Sequence, residues 1–389
     1  MVGVKQKEVR IGMIGYQFMG KMHSHAYRDL PFFFDTEARP VLQAVAGRNE
    51  AAVKQAAEKM GWASYETDWR RLIERDDIDV IDIVTPNHTH ADMAIAAAEA
   101  GKHIIIEKPL ALTVEQAERM AEAVKRNNVV HMICHNYRFA PAVQYAKKLI
   151  QDGVLGRLYH FRGNYLQDFI IDPAFPLVWR LKKEVSGSGA LGDIAAHSID
   201  LARFLVGDIH EVVGTMETFI KKRPIGEMVG GLSAKVDSDQ MGEVTVDDAV
   251  AFLARFENGT VATFEATRFA AGNRNKNTFE INGEKGSIRW DMENMNNLEV
   301  YLTEDAPGLQ GFRLINCTED IHPYAGAYWP PGHIIGYEHT FIHLIYEFMK
   351  GVTSGESPRP NFEDGVKNQK ILAAVETSAQ TKQWVTIDY

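Results

Sequence analysis

At 389 residues the chain is longer than one ordinary domain, and two domains that each bury a core are expected. Its 52 acidic residues outnumber 42 basic ones, a formal charge of −10, and no run of lysine and arginine interrupts the surplus, which excludes a nucleic-acid surface. Two cysteines, Cys134 and Cys317, exclude a disulfide framework; without an apolar leader in Met1 to Arg10 or an apolar run of about 18 residues, a cytoplasmic protein off the membrane is expected.

Up to about residue 135, short apolar runs alternate with helix-period segments, the pattern of a parallel sheet with crossover helices. Strands are predicted at Val9 to Ile14, Val41 to Ala46, Val80 to Val84, His103 to Ile106 and Val129 to His135. Helices are predicted at Glu50 to Met60, Ala91 to Ala100 and Val114 to Arg126, the last announced by the capping-box residues Thr113-Val114-Glu115-Gln116. After the first strand, Gly15-Tyr16-Gln17-Phe18-Met19-Gly20 stands where a glycine-rich turn cradles a pyrophosphate at a helix N-terminus. Gln17 replaces the usual middle glycine, and Gly15, Gln17, Phe18 and Met19 are the candidate phosphate contacts.

Past the second strand, Ala46-Gly47-Arg48-Asn49 lacks the carboxylate that would bind the adenosine ribose of NAD. Arg48 suits the 2′-phosphate of NADP, or stacking on adenine with either cofactor. Glu107-Lys108-Pro109 then ends the strand His103 to Ile106 and puts a lysine at its carboxyl edge, where open α/β sheets bind ligands. A lysine there can hydrogen-bond a sugar hydroxyl and stabilise charge growing on its oxygen during hydride transfer, while Pro109 fixes the turn.

The pattern changes after Pro141. A helix from about Ala142 to Gln151 precedes alternating segments at Leu158 to Tyr165, Val250 to Glu257, Val261 to Arg268, Thr278 to Ile281 and Leu298 to Leu302, with a tight hairpin at Asn258-Gly259. The intervening helix Gly192 to Phe204 carries Asp193 and His197 four apart, hence on one face; Asp200 shares that face and is expected to have a structural partner. Lys221 to Val246 is unpatterned and predicted as a long loop, and helices near His339 to Met349 and Asp364 to Gln380 close the chain. The expected fold is α/β: an N-terminal, doubly wound Rossmann domain over 1–138, then an α+β domain over 139–389 on a large, mostly antiparallel open sheet. His131/His135 and His339/His343 have ligand-like spacings, but no H-E-x-x-H or paired C-x-x-C accompanies them, so no metal is expected.

Gly15 to Gly20, Thr85-Pro86-Asn87-His88-Thr89-His90, Glu107-Lys108-Pro109, Asn136-Tyr137-Arg138 and Gly192-Asp193-Ile194-Ala195-Ala196-His197 span nearly the whole chain. As an ordered set they resemble the glucose-fructose oxidoreductase and inositol dehydrogenase family (Gfo/Idh/MocA). The resemblance implies a catalytic set of Lys108, Asp193 and His197, with histidine removing the hydroxyl proton as hydride leaves carbon. It implies that Thr85, Pro86, Asn87 and His90 line the cofactor's ribose and nicotinamide together with Glu107, Lys108 and Asn136, and that Trp179 and Arg180 reach toward the nicotinamide side. Tyr137, Tyr165 and Gln167 would join Lys108, Asp193 and His197 at the substrate.

Within the family, Tyr165-Leu166-Gln167-Asp168, Trp179-Arg180-Leu181 and His322-Pro323-Tyr324 are most similar to members that oxidise the C3 hydroxyl of an anhydro sugar. The implied substrate is a cyclic sugar or polyol, levoglucosan-like or inositol-like. The resemblance favours NAD, and Arg48 leaves NADP open. The fold also serves glycosidases that oxidise their substrate transiently and cofactor-sensing regulators; the intact Lys108, Asp193 and His197 set speaks against both. A homodimer through the second domain's sheet, doubled into a tetramer, is expected, because Val250, Phe252, Leu253, Phe256, Val261, Phe264 and Phe269 supply apolar side chains to both sides of the hairpin.

Overall fold

The structure is a computed structural model and describes residues 6–226 and 234–389. Its elements begin with β1 (Lys7–Ile14), α1 (Phe18–Phe33), β2 (Ala38–Ala46), α2 (Glu50–Met60), β3 (Ser64–Glu66), α3 (Trp69–Ile73), β4 (Val80–Ile83), α4 (His90–Glu99), β5 (His103–Glu107), α5 (Val114–Arg126) and β6 (His131–Cys134). There follow α6 (Pro141–Gln151), β7 (Leu158–Leu166), α7 (Lys183–Ser186), α8 (Ala196–Leu205), β8 (Ile209–Glu217), β9 (Lys222–Pro224), β10 (Met241–Glu243), β11 (Ala249–Phe256) and β12 (Val261–Thr267). The chain closes with β13 (Lys276–Gly283), β14 (Gly286–Asp291), β15 (Asn297–Leu302), β16 (Arg313–Asn316), α9 (Tyr337–Ser354), α10 (Phe362–Thr381) and β17 (Val385–Thr386).

Two compact units result: one runs to Phe139 and includes Ile335–Val366, the other comprises Ala140–Ile334 and Lys367–Tyr389. Ile335–Val366, counted above with the second domain, packs with the first because α9 buries Phe341, Ile342, Ile345 and Phe348 and lies against α1. In the first unit six parallel strands follow the order β3-β2-β1-β4-β5-β6, the doubly wound order whose ligand edge is the strands' carboxyl end. Ile81, Ile83, Ile104, Ile105 and Ile106 are fully buried, as expected where both faces of a sheet are covered.

The second unit is built on nine strands in the order β16-β15-β14-β13-β7-β12-β11-β8-β17, antiparallel throughout except where β7 meets β12. The Asn258-Gly259 hairpin joins β11 to β12, with Gly259 at φ 85°. Val250, Phe252, Phe256 and Phe264 face the core together, Phe252 stacked on Phe264 at 4.5 Å. The expectation of apolar side chains in strength on both sides is therefore corrected. Only Leu253 and Val261, 48% and 37% exposed, represent them on the other face, which also carries Arg162, Glu265 and Glu280. The two-residue period puts the aromatic residues on one side, and Phe269 lies beyond the end of β12.

Lys221 to Val246 is likewise not structureless throughout. β9 and β10 pair as a small antiparallel ribbon, Met241 opposite Pro224, while residues 227–233 lie outside the described residues. Strands of three residues are too short to show a period. Arg223 is fully buried and donates to the carbonyls of Ile170, Asp172 and Phe175, pinning the ribbon to its neighbours. Among the described residues no helix is long and apolar enough to cross a membrane.

Candidate active site

The carboxyl edge of the six-stranded sheet gathers the turns expected to hold a cofactor. Gly15 adopts φ 107°, and a Cβ there would sit 2.7 Å from the Val84 carbonyl oxygen, so the turn admits only glycine. Gln17 occupies the N-cap of α1 without capping it through its side chain, which leaves the first-turn N–H groups of a 16-residue helix to an anion. This cradle fits a dinucleotide pyrophosphate, with Gln17 and Phe18 exposed beside half-buried Met19. Arg48 follows β2 at the same edge and is exposed, while Asn49 caps α2 by accepting the Ala52 N–H at 3.0 Å.

Thr85 to His90 leaves β4 as a turn closed by its own hydroxyls. Thr85 Oγ1 and Thr89 Oγ1 lie 2.7 Å apart, Thr89 donates to the Pro86 carbonyl at 2.8 Å, and Asn87 opens a short 3-10 turn. The His90 ring is completely buried, with Nδ1 3.0 Å from the Pro109 carbonyl oxygen and Nε2 3.0 Å from that of Thr85. Burial pushes it below the ordinary histidine range. Whatever His90 does for a cofactor passes through the two turns it ties together, not through a free ring.

Glu107 is also turned inward. One carboxylate oxygen lies 3.0 Å from His23 Nε2 and the other accepts the Lys108 backbone N–H at 3.2 Å, while Lys108 itself is half-buried. Asn136 is buried and donates to Thr340 Oγ1 at 2.8 Å, and the Tyr137 ring lies 6.1 Å from that of Tyr337.

In the second unit, Leu191–Ala195 forms a turn of π-helix that runs into α8. The helix expected from Gly192 to Phe204 is thus present but wound wider at its start, a distortion frequent at functional sites. Asp193 lies in the π turn and its Oδ2 accepts from Nη2 of Arg268 at 3.0 Å, Arg268 being fully buried just past β12. His197 lies in the first turn of α8, buried, its ring 5.9 Å from that of Tyr165. The Tyr165 hydroxyl donates to Asn275 Oδ1 at 2.6 Å, and Gln167 Nε2 donates to the same oxygen at 3.0 Å.

Arg268 and Asn275 belong to no motif. Their only trace in the sequence is a polar residue after the apolar alternation of β12 and another in the loop before β13. Trp179 and Arg180 share a 3-10 turn, the guanidinium 4.4 Å over its neighbour's ring. Burial lowers the Arg180 guanidinium from its ordinary value, while Asp193 supports its charge. Asp200 has the structural partner expected of it, accepting from Asn368 Nδ2 at 3.3 Å.

The π turn is held by a residue outside every motif. The buried Asp247 carboxylate accepts the backbone N–H groups of Gly189 at 2.6 Å and Leu191 at 2.8 Å. Gly189 is obligatory, since a Cβ would stand 1.7 Å from the Asp247 carbonyl oxygen. Burial raises the Asp247 carboxyl, and the N–H groups of Leu191 and Gly189 oppose that rise. Asp247→Ala strands two buried donors, so a stability loss of about 2–4 kcal/mol is expected in urea denaturation. A loss below about 0.5 kcal/mol would show that the turn needs no clamp.

Three of the four histidines with ligand-like spacing serve the backbone instead. His131 Nδ1 accepts the Phe362 N–H at 3.1 Å, His339 Nδ1 accepts that of Gly336 at 3.1 Å, and His343 Nδ1 lies 2.8 Å from the Phe139 carbonyl oxygen. Burial drives His131 down to about 4 and His343 to about 3. Among the described residues, His23, Glu107 and Cys134 form the one group of three donor atoms within 4.8 Å of one another.

Residues 9–135 match the profile of an oxidoreductase family with an NAD-binding Rossmann fold, and residues 143–289 match the GFO/IDH/MocA C-terminal domain. The chain is 45% identical to levoglucosan dehydrogenase of Pseudarthrobacter phenanthrenivorans over 98% of this chain and 98% of that one. It is 27% identical to myo-inositol 2-dehydrogenase of Thermotoga maritima, covering 98% and 99% of the two chains. Among solved structures, an oxidoreductase domain protein from Kribbella flavida superimposes with a TM-score of 0.93 at 48% identity, over 99% of this chain and 100% of the other. A levoglucosan dehydrogenase in complex with NADH and levoglucosan does so with a TM-score of 0.93 at 45% identity, over 98% and 100%.

Proposed function

The chain belongs to the Gfo/Idh/MocA oxidoreductase family, and from that premise we propose an NAD-dependent dehydrogenase that oxidises a C3-type secondary hydroxyl of a cyclic sugar or polyol, levoglucosan or a close relative of it. The observation that carries the reading is the Asn275 oxygen holding Tyr165 and Gln167 together beside His197, which offers an aromatic face and several hydrogen-bonding groups to a hydroxylated ring.

Bound NAD supplies the hydride acceptor. His197 takes the hydroxyl proton while the C–H electron pair leaves as hydride, and the alcohol becomes a ketone. Lys108 donates to the oxygen on which negative charge grows in the transition state. Asp193, fixed by Arg268, orients the reacting hydroxyl and its neighbours. The test is the absorbance of reduced nicotinamide with levoglucosan, inositols, glucosides and free hexoses, each with NAD and with NADP. Cleavage of a glucoside without net reduction would replace this reading by transient-oxidation glycosidase chemistry; cofactor binding with no turnover of any sugar would replace it by cofactor sensing.

With NAD as the cofactor, exposed Arg48 has no 2′-phosphate to meet and is assigned to stacking on adenine. Arg48→Ala is then expected to weaken NAD and NADP to the same degree in fluorescence titrations. A selective loss for NADP of about 1.5–3 kcal/mol, the size of a charge-assisted contact, would assign the arginine to the phosphate instead.

The free face of the nine-stranded sheet, with Leu253 and Val261 among charged residues, is assigned to a symmetric homodimer that doubles into a tetramer. Light scattering at micromolar concentration should give a multiple of the 43.7 kDa chain mass. A fully active monomer would refute the assignment.

A further inference from the structure

Beside the Lys108 turn, the first unit buries ionisable groups that the chemistry above leaves without a task. His23, on α1, is completely buried, with Nδ1 2.9 Å from Asp82 Oδ2 and Nε2 3.0 Å from Glu107 Oε1. Asp82 faces it from β4, Glu107 from β5 and Cys134 from β6; Tyr27 of α1 adjoins Asp82, and the Phe341 ring of α9 lies 5.4 Å from the imidazole. An ionised carboxylate only accepts, so a ring with a carboxylate at each nitrogen must donate from both. A neutral ring would turn one lone pair against a buried carboxylate. Burial opposes the charge, Asp82 and then Cys134 favour it, and on balance the ring stands well above the ordinary histidine range. The second Glu107 oxygen meanwhile accepts the Lys108 backbone N–H at 3.2 Å.

We propose that His23, held as an imidazolium, is a positioning residue that fixes the Glu107 carboxylate and through it the Lys108 turn. The inference rests on the reading of Lys108 as the group that acts on the substrate oxygen. With one oxygen on a cation and the other on a peptide N–H, the Glu107 carboxylate has a single setting, and charge-assisted bonds of this kind are the strong ones. The connection also has direction. α1 starts at the phosphate turn, so the helix that receives the cofactor carries the cation that holds the turn of the lysine. His23, Glu107 and Cys134, with Asp82 behind the imidazole, are donors that zinc could also use. Burial pushes the Cys134 thiol up to about 12, which favours a protonated cluster over a metal centre.

Three measurements decide between these outcomes. In the wild-type chain with ¹⁵N-labelled histidine, one of the 14 histidines should keep both ring nitrogens protonated at about pH 9, far above the ordinary titration. If every histidine is neutral there, the proposal falls, and no variant is needed to see it. Glu107→Gln should lower kcat about tenfold with KM for NAD within about twofold, and should have no further effect in a Lys108→Ala background. An equal loss in both backgrounds would show that the carboxylate does not act through the lysine and would overturn the proposal. So would about one tightly held zinc per purified chain. Wild-type turnover by Lys108→Ala would instead remove the functional reading of the lysine, while the protonated histidine signal would remain.

Discussion

Replacing Lys108 by alanine is expected to lower kcat at least about a hundredfold while NAD affinity stays within a few-fold of wild type. The ammonium acts on charge that exists mainly in the transition state, so its loss falls on turnover rather than on binding. The turn itself should persist. Its anchors are the Lys108 N–H on Glu107 and the Pro109 carbonyl at His90, and neither uses the lysine side chain. Steady-state kinetics with the best substrate of the panel, together with a cofactor titration, measure both quantities. Turnover within about threefold of wild type by a folded variant would take lysine out of the mechanism.

His197→Ala should cost a similar factor, about 10²–10⁴ in kcat, as is usual for a general base. Its pH profile is the more telling readout. Hydroxide replaces the missing base, so the residual rate should keep climbing with pH where the wild-type rate has levelled. His197 is buried against Tyr165, and His197→Gln, which preserves more of the side-chain volume, separates lost chemistry from lost packing. If the alanine variant keeps the wild-type rate and profile, the imidazole only holds its neighbours in place.

The parts of this protein that were legible in the sequence are those whose physical cause is local. α2 and α5 have the predicted limits because Asn49 and Thr113 cap them with side chains visible one residue ahead of each helix. Every Rossmann strand but β3, the polar Ser64-Tyr65-Glu66, is legible as an apolar run, and Lys108, Asp193 and His197 stand in recognisable segments. β8, β14, β16 and β17 carry no comparable signal. Glu211 and Gly214 blur the alternation of β8, and β17 has only two residues. Arg268, Asn275 and Asp247 were illegible for another reason: each acts on a group from a distant stretch of chain, Asp193, Tyr165 and Gly189 respectively. His23 likewise meets Asp82 and Glu107 only because parallel strands bring β4 and β5 beside α1.

The position of β7 bears on how the second unit is made. β12 and β13 follow one another in the chain yet do not pair, because β7 lies between them and takes both as partners. His160 of β7 is matched with Val261 on one side and Asn282 on the other, so its strand leaves the ribosome with two bare edges, one waiting for β12 and the other for β13. β11 with β12, and β13 with β14, can close as local hairpins, whereas β7 must wait for pairings of long sequence separation, the slow kind. An unpaired edge invites strands of other chains, and the exposed His160 and Arg162 on β7 are the sort of polar side chains that discourage such encounters. The first strand of the sheet to be synthesised thus depends, on both its edges, on stretches of chain made long after it.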